Sequence, residues 1–279
     1  MKKISKSMIS QYRRYLKDCE KSKSTIAKYI RDINNFAEWL NGREITKELT
    51  VAYKEHIMKL YATSSVNSML SSVNGFFDYY EMYDKKVKTI KMQKSVFVDS
   101  ASVLTKADYE KLLIAAKTMG KTRLYMIMQT ICVLGIRVSE LEYITVAAVA
   151  SGRAVIDCKG KRRVAIIPAG MCKVLADYTK SIGVESGPVF VTNSGKAVDR
   201  SNIWREMRNL CTVAGVSSNK VFPHNLRHLF ARTYYSVQKD IVRLADILGH
   251  SNINTTRIYT ADSSDTHMRT MEKTGLMIV

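Results

Sequence analysis

Between His224 and Tyr259 the chain carries His224-Asn225-Leu226-Arg227-His228, then Leu248-Gly249-His250, then Ile258-Tyr259-Thr260. These residue types suit displacement at a phosphodiester by a tyrosine hydroxyl. An arginine neutralises a phosphate with a planar fork of donors. Histidines hydrogen-bond the remaining phosphoryl oxygens or move a proton. A tyrosine closing the set can form a covalent intermediate.

An upstream half accompanies this set. In Leu134-Gly135-Ile136-Arg137-Val138-Ser139-Glu140-Leu141, Arg137 and Glu140 stand three apart, on one face of any helix that holds them. Glu140 reads as a carboxylate that orients an arginine and does not itself react. Two short β-rich runs, Ala154 to Cys158 and Arg163 to Pro168, flank the basic, glycine-containing Lys159-Gly160-Lys161-Arg162, which reads as a hairpin. A lysine near its tip can reach into a site as a mobile acid. Lys161 could take that place, but the reading favours Lys159.

Arg137, Lys159, His224, Arg227, His250 and Tyr259, in this order and with these flanks, resemble the tyrosine recombinases, the integrase and Xer-type family of site-specific DNA recombinases. The likeness covers most of residues 100 to 260 and is looser over the N-terminal third. It implies a helical core-binding domain followed by a catalytic domain, closing as a clamp on double-stranded DNA. It also implies attack by Tyr259, a 3′-phosphotyrosine intermediate and protonation of the leaving 5′ oxygen by Lys159. Strand exchange would run through a Holliday junction, in a tetramer on two inverted-repeat recombination sites. The tail after Tyr259 would join protomers. His228 reads as a structural hydrogen-bonder. Two other readings are a type IB topoisomerase that relaxes supercoils and a non-catalytic DNA-binding regulator; the latter predicts a broken set of six, and all six residues are present. Integration or excision by a mobile element, or inversion, suits Tyr234 to Asp240, which lacks the glycine common in the Xer branch.

The composition fits a polyanionic partner. Forty-four basic against 25 acidic side chains leave +19, and the excess is spread, with 19 basic and 10 acidic in residues 1–98 and 25 and 15 in the remainder. Five cysteines without Cys-x-x-Cys spacing argue against a disulfide framework or a zinc site. No carboxylate cluster suggests magnesium, and no Gly-x-x-x-x-Gly-Lys-Ser/Thr loop is present, so neither a metal nor a cofactor is expected. Without an apolar leader or an apolar run of spanning length, the chain is expected to be cytoplasmic and nucleoid-associated, with no membrane partner.

Periodicity places these groups on a mainly α fold with a small antiparallel sheet. Residues 1–90 read as four amphipathic helices: one around Ile9, Tyr12 and Leu16; one capped by Ser24 with Ile26, Ile30, Ile33, Ala37 and Leu40; one with Leu49, Tyr53, Ile57 and Leu60; and one capped by Ser64 or Ser65 with Val66, Leu70, Val73, Phe76 and Phe77. Their polar faces offer Lys28, Arg31, Asn67, Ser71 and Asn74 as DNA-contacting residues. Lysines without helical spacing mark a change from residue 84, and residues 91–103 read as a basic linker. The catalytic domain then spans 104–279, with Thr105, Asp240 and Ser251 as helix caps and Gly249 as a helix stop.

Overall fold

The computed structural model describes residues 3–91, 102–158, 161–192, 195–259 and 273. The chain divides into two compact units, Met1–Lys94 and Ser95–Val279.

Four helices, α1 (Lys6–Asp18), α2 (Lys23–Leu40), α3 (Lys47–Leu60) and α4 (Thr63–Tyr79), make up the body of the first unit. Its core is the set of stripes the periodicity predicts, with Tyr12, Leu16, Ile30, Ile33, Tyr53, Ile57, Val66, Leu70, Val73, Phe76 and Phe77 all buried. Leu60 differs: it ends its helix facing solvent, 60 % exposed. The caps shift too. Ser22 rather than Ser24 opens α2, its hydroxyl accepting from the Thr25 amide, while α4 starts after Ala62 without a side-chain cap, leaving Ser64 and Ser65 inside the helix.

The polar faces of this unit hold it together. Asp32, almost wholly buried, accepts from Lys28 Nζ at 2.6 Å and from Ser72 Oγ at 2.8 Å, and Lys28 Nζ also donates to the Ser68 carbonyl. A buried carboxylate is tolerable because it is paired and hydrogen-bonded. On α4, Asn67 and Asn74 lie two turns apart and grip the chain that follows. Asn74 pairs with both the amide and the carbonyl of Val87 (3.1 and 2.8 Å), and Asn67 does the same with Ile90 (2.7 and 2.8 Å). Lys47 and Lys54 of α3 add bonds to the Lys86 and Lys88 carbonyls. Residues 86–90 thus run as a strap along α4, in the opposite direction to it.

In this structure the residues expected to contact DNA meet groups of the protein itself. Lys28, Asn67 and Asn74 have their polar atoms engaged in intramolecular bonds, because an amide or ammonium on a half-buried face finds protein partners first. Ser71 donates to the Asn67 carbonyl of its own helix, and Arg31, 69 % exposed in its side chain, pairs loosely with Asp32, Nε to Oδ1 at 3.8 Å.

In the second unit, α5 (Lys106–Thr118), α6 (Thr122–Leu134), α9 (Arg200–Ala214) and α10 (Pro223–Gln238) build the core. Leu112, Ala116, Ile127, Ile131, Leu210 and Leu226 are buried there. Thr105 caps α5 in a reciprocal capping box with Asp108. Between α6 and α9 come a 3-10 turn (Val138–Tyr143), α7 (Val146–Ser151), two strands and α8 (Ala169–Ser181). Strands β1 (Arg153–Cys158) and β2 (Lys161–Ile166) pair antiparallel from Arg153↔Ile166 to Cys158↔Lys161. Among the described residues this is the one sheet. Asp240 caps α11 (Ile241–Leu248), and Gly249 ends it with φ 66°. The next short turn, Ile253–Thr255, is capped by Asn252 and not by Ser251. No helix among the described residues is long and apolar enough to cross a membrane.

If Asn67 and Asn74 hold the strap, replacing either by Ala should lower stability by about 1–3 kcal/mol, since two backbone groups lose their partners. Urea unfolding checks this, and limited proteolysis should find new cuts within residues 83–91. A base-reading role would instead leave the urea midpoint unchanged and weaken DNA binding alone.

Candidate active site

Two helices stop in the same way to build the site. α6 ends at Leu134 and α11 at Leu248; each is followed by a glycine in the left-handed region, Gly135 (φ 60°) and Gly249 (φ 66°). Only glycine fits either place. A Cβ at Gly135 would lie 2.2 Å from the Phe230 ring, and one at Gly249 would lie 2.6 Å from the Arg163 side chain. The chain turns sharply and delivers Arg137 after the first stop and His250 after the second.

Arg227, one turn into α10, joins the two stops. Its guanidinium is 1 % exposed. Nη1 donates to the Gly135 carbonyl and Nη2 to the Leu248 carbonyl, both at 2.6 Å, and Nη2 also approaches His250 Nε2 at 3.1 Å. The last carbonyls of a helix have no partner within it and form the negative end of its dipole, so two such ends suit a buried cation. Arg227 Nε has no hydrogen-bond partner among the described residues. Burial, reinforced by Arg137, pulls the Arg227 pKa down to about 10, leaving it charged at neutral pH.

Arg137 precedes the 3-10 turn and Glu140 is its third residue, a capping box rather than a continuous helix. Glu140 is 1 % exposed and accepts four contacts: the Arg137 amide at 2.7 Å, Arg137 Nη1 at 2.8 Å, Arg163 Nη2 at 2.7 Å and, more distantly, Arg227 Nη1 at 3.9 Å. Burial raises its pKa, but the Arg137 amide and the Arg163 and Arg137 charges outweigh this and leave it lowered. Arg163 Nη1 continues to the Ile247 carbonyl at 2.9 Å, binding β2 to the end of α11.

His224, on the first turn of α10, opens onto a cleft also lined by Arg137, Arg227, Arg200, Trp204 and Arg208. His228 follows one turn later. Its described contacts are ring contacts, edge-on to His224 (4.4 Å) and to Tyr259 (4.9 Å), so it packs where a hydrogen bond was expected. Burial, together with the neighbouring cations, holds His250 down to about 4 and His228 to about 3; it lowers His224 as well.

Tyr259 ends the turn Arg257–Tyr259, 4 % exposed against Ala231, Leu244 and Leu248, with its ring 6.2 Å from that of His250. Burial raises its hydroxyl pKa, and Arg227 foremost, then Arg137 and Arg232, pull against that rise. Arg137, His224, Arg227, His250 and Tyr259 therefore come together, with Glu140 beneath them. Lys159 lies outside the described residues.

Sequence reading assigned no role to Arg163, Thr256, Trp204 or Arg208. One signal was available for Arg163: alternation on β2 puts it on the same face as Ala165, which is buried, while Val164 and Ile166 face out. An inward arginine needs a buried carboxylate.

The helical fold, the glycine-stopped helices and the convergence of arginines, histidines and a tyrosine around a cationic cleft define a class of enzyme that breaks and rejoins DNA strands. The model of the phage integrase family matches residues 102–266, and that of the phage integrase N-terminal SAM-like domain matches residues 9–81. The chain belongs to the phage integrase family and is a tyrosine recombinase. It is 27% identical over 281 residues to tyrosine recombinase XerA of Thermococcus kodakarensis, covering 97% of this chain and 96% of that protein. It is 25% identical over 273 residues to the TnP I resolvase of Bacillus thuringiensis, covering 90% and 93%. A crystal structure of XerA recombinase superposes with a TM-score of 0.53 at 26% identity, over 98% of this chain and 99% of that one. A lambda integrase dimer bound to a COC′ core site shares the fold, with a TM-score of 0.73 at 18% identity over 91% and 76%.

The buried histidines set an acid sensitivity. An unfolded histidine takes up a proton near pH 6.5, whereas folded His228 and His250 resist it until about 3 and about 4. Their contribution is complete above pH 6.5 and is lost as pH falls toward those lower values. Stability from urea unfolding should therefore decline steadily from pH 7 to 4, and less steeply in His228→Phe. A flat profile between pH 7 and 5 would contradict this.

Proposed function

We propose that this recombinase cleaves and rejoins duplex DNA at its recombination sites with Tyr259 as nucleophile. Arg137 and Arg227 hold the scissile phosphate, and His224 and His250 contact its oxygens or move a proton. Lys159 protonates the leaving 5′ oxygen. Glu140 positions Arg137. The observation that carries this reading is the joint placement of Tyr259 and His250 around the buried Arg227 guanidinium, itself anchored by two helix ends.

The chemistry follows from charge. Attack builds negative charge on the phosphoryl oxygens, and preorganised donors there are typically worth a few kcal/mol each. A tyrosine of ordinary pKa near 10 enters protonated at neutral pH. Burial keeps it so until substrate arrives, and the proton leaves during attack, to His224 or to water. Because the cleaved bond is stored as a phosphotyrosine, rejoining needs no nucleotide. Support for Lys159 comes from the strands on either side of it, since Arg163 of β2 ties them to the carboxylate that also holds Arg137.

The partners in this reading are two DNA sites with inverted repeats and three further copies of the chain. The tail that would join the copies lies outside the described residues, apart from Lys273. The product, integration, excision or inversion, is set by how the sites lie in the genome.

Two substitutions test the reading on duplex DNA from the encoding locus, nicked to trap covalent complexes. Tyr259→Phe removes only a hydroxyl, so fold and DNA binding should stay while adducts vanish; an adduct persisting in that variant would refute the assignment. Lys159→Ala should barely change salt-dependent DNA affinity, because it removes one of 44 basic groups. Its cleavage should slow sharply on an ordinary phosphodiester and recover on a 5′-bridging phosphorothiolate, whose leaving group needs little protonation. Recovery in Lys161→Ala instead would move the role to Lys161.

A further inference from the structure

Thr256 touches two residues to which the reading above gives roles at the phosphate, His250 and Tyr259. It is fully buried, its hydroxyl is 2.9 Å from His250 Nδ1, and its carbonyl accepts the Tyr259 amide at 2.9 Å. Helix capping does not require a hydroxyl here, since Asn252 already caps the turn.

The hydrogen bonds fix the imidazole's proton. A guanidinium only donates, so His250 Nε2, facing Arg227 Nη2 at 3.1 Å, must accept. The ring is neutral at pH 7 and holds a single proton, which must then be on Nδ1 and be donated to Thr256 Oγ1. A phosphoryl oxygen offers no proton. When it takes the place of Arg227 as the partner of Nε2 and the ring keeps its single proton, that nitrogen carries the hydrogen and Nδ1 accepts. Solvent exchange removes one proton from Nδ1 and adds one to Nε2, with no net change in charge. A carbonyl or a carboxylate beside Nδ1 could only accept, and would hold the resting form; an ammonium could only donate. A hydroxyl serves both forms by rotating.

We propose that Thr256 is a positioning residue that lets His250 change tautomer on substrate binding, accepting from Nδ1 in the free enzyme and donating to it when Nε2 donates to the scissile phosphate. The proposal rests on His250 being a phosphate ligand.

Nitrogen-15 spectra of the histidine-labelled full chain test it, with orthovanadate as the phosphoryl mimic. His250 should carry its proton on Nδ1 in the free protein and on Nε2 with vanadate bound. Persistence of the Nδ1 proton in the vanadate complex overturns the proposal. The substitution arm uses Thr256→Val, which keeps the shape and removes the hydroxyl. It should reduce vanadate affinity and DNA cleavage by about ten- to a hundredfold, the cost of one unsatisfied buried group, with DNA affinity unchanged. Thr256→Ser should restore both, which a loss through misfolding alone would not do. A loss in His250→Ala without one in Thr256→Val overturns the role of Thr256 alone. No loss in either overturns the reading of His250 as a phosphate ligand.

Discussion

A guanidinium withdrawn from water is the constraint around which the catalytic unit is organised. Arg227 is among the largest fully buried side chains of the protein, and desolvating a charge costs several kcal/mol even after relaxation. That cost is offset by the carbonyls at the ends of α6 and α11. The two helices must therefore end where they do and point their last carbonyls at one spot. Each stop needs a glycine, and each glycine sets the direction of the chain leading to Arg137 or His250. A requirement for one buried cation thus becomes a requirement on the ends of α6 and α11.

The balance of charge in this region is deliberately uneven. Arg137, Arg163 and Arg227 converge on the one carboxylate of Glu140. Three cations on one anion leave two unmatched, a state suited to an anionic visitor. The histidines do not add to this excess, because burial keeps His228 and His250 neutral at physiological pH. They remain able to accept as well as donate, which a protonated ring could not do. Glu140 serves the arrangement in two ways, restraining Arg137 and Arg163 against their mutual repulsion and holding the Arg163 side chain that ties β2 to α11.

Much of this was legible in the sequence, for reasons that can be named. The helical stripes of the first unit were readable because burial imposes a period on side chains. The glycine stop at Gly249 and the caps at Thr105 and Asp240 were readable because their backbone geometry restricts the residue type. The set Arg137, His224, Arg227, His250 and Tyr259 was recognisable by order and flanks, although nothing in the spacing says that residues 137 and 227 share one pocket. What was not legible depended on who pairs with whom. Asn67 and Asn74 look like surface amides until a strap distant in sequence is laid beside them. Arg163 looks like one more basic residue until Glu140 is seen beneath it. Ser22 and Ser24 are equally good caps by type, and only the start of the helix chooses between them.

The strap along α4 carries a consequence for how this protein can change over generations. Asn67 and Asn74 grip the amides and carbonyls of residues 87 and 90, groups that every residue but proline provides. At the exposed positions Lys88 and Thr89, drift in side-chain identity leaves that grip untouched. A single inserted or deleted residue between 87 and 90 is another matter. It moves one pair of backbone groups out of register with its asparagine, and it alters the point from which the rest of the chain departs. The segment is thus permissive to substitution and intolerant of a change in length.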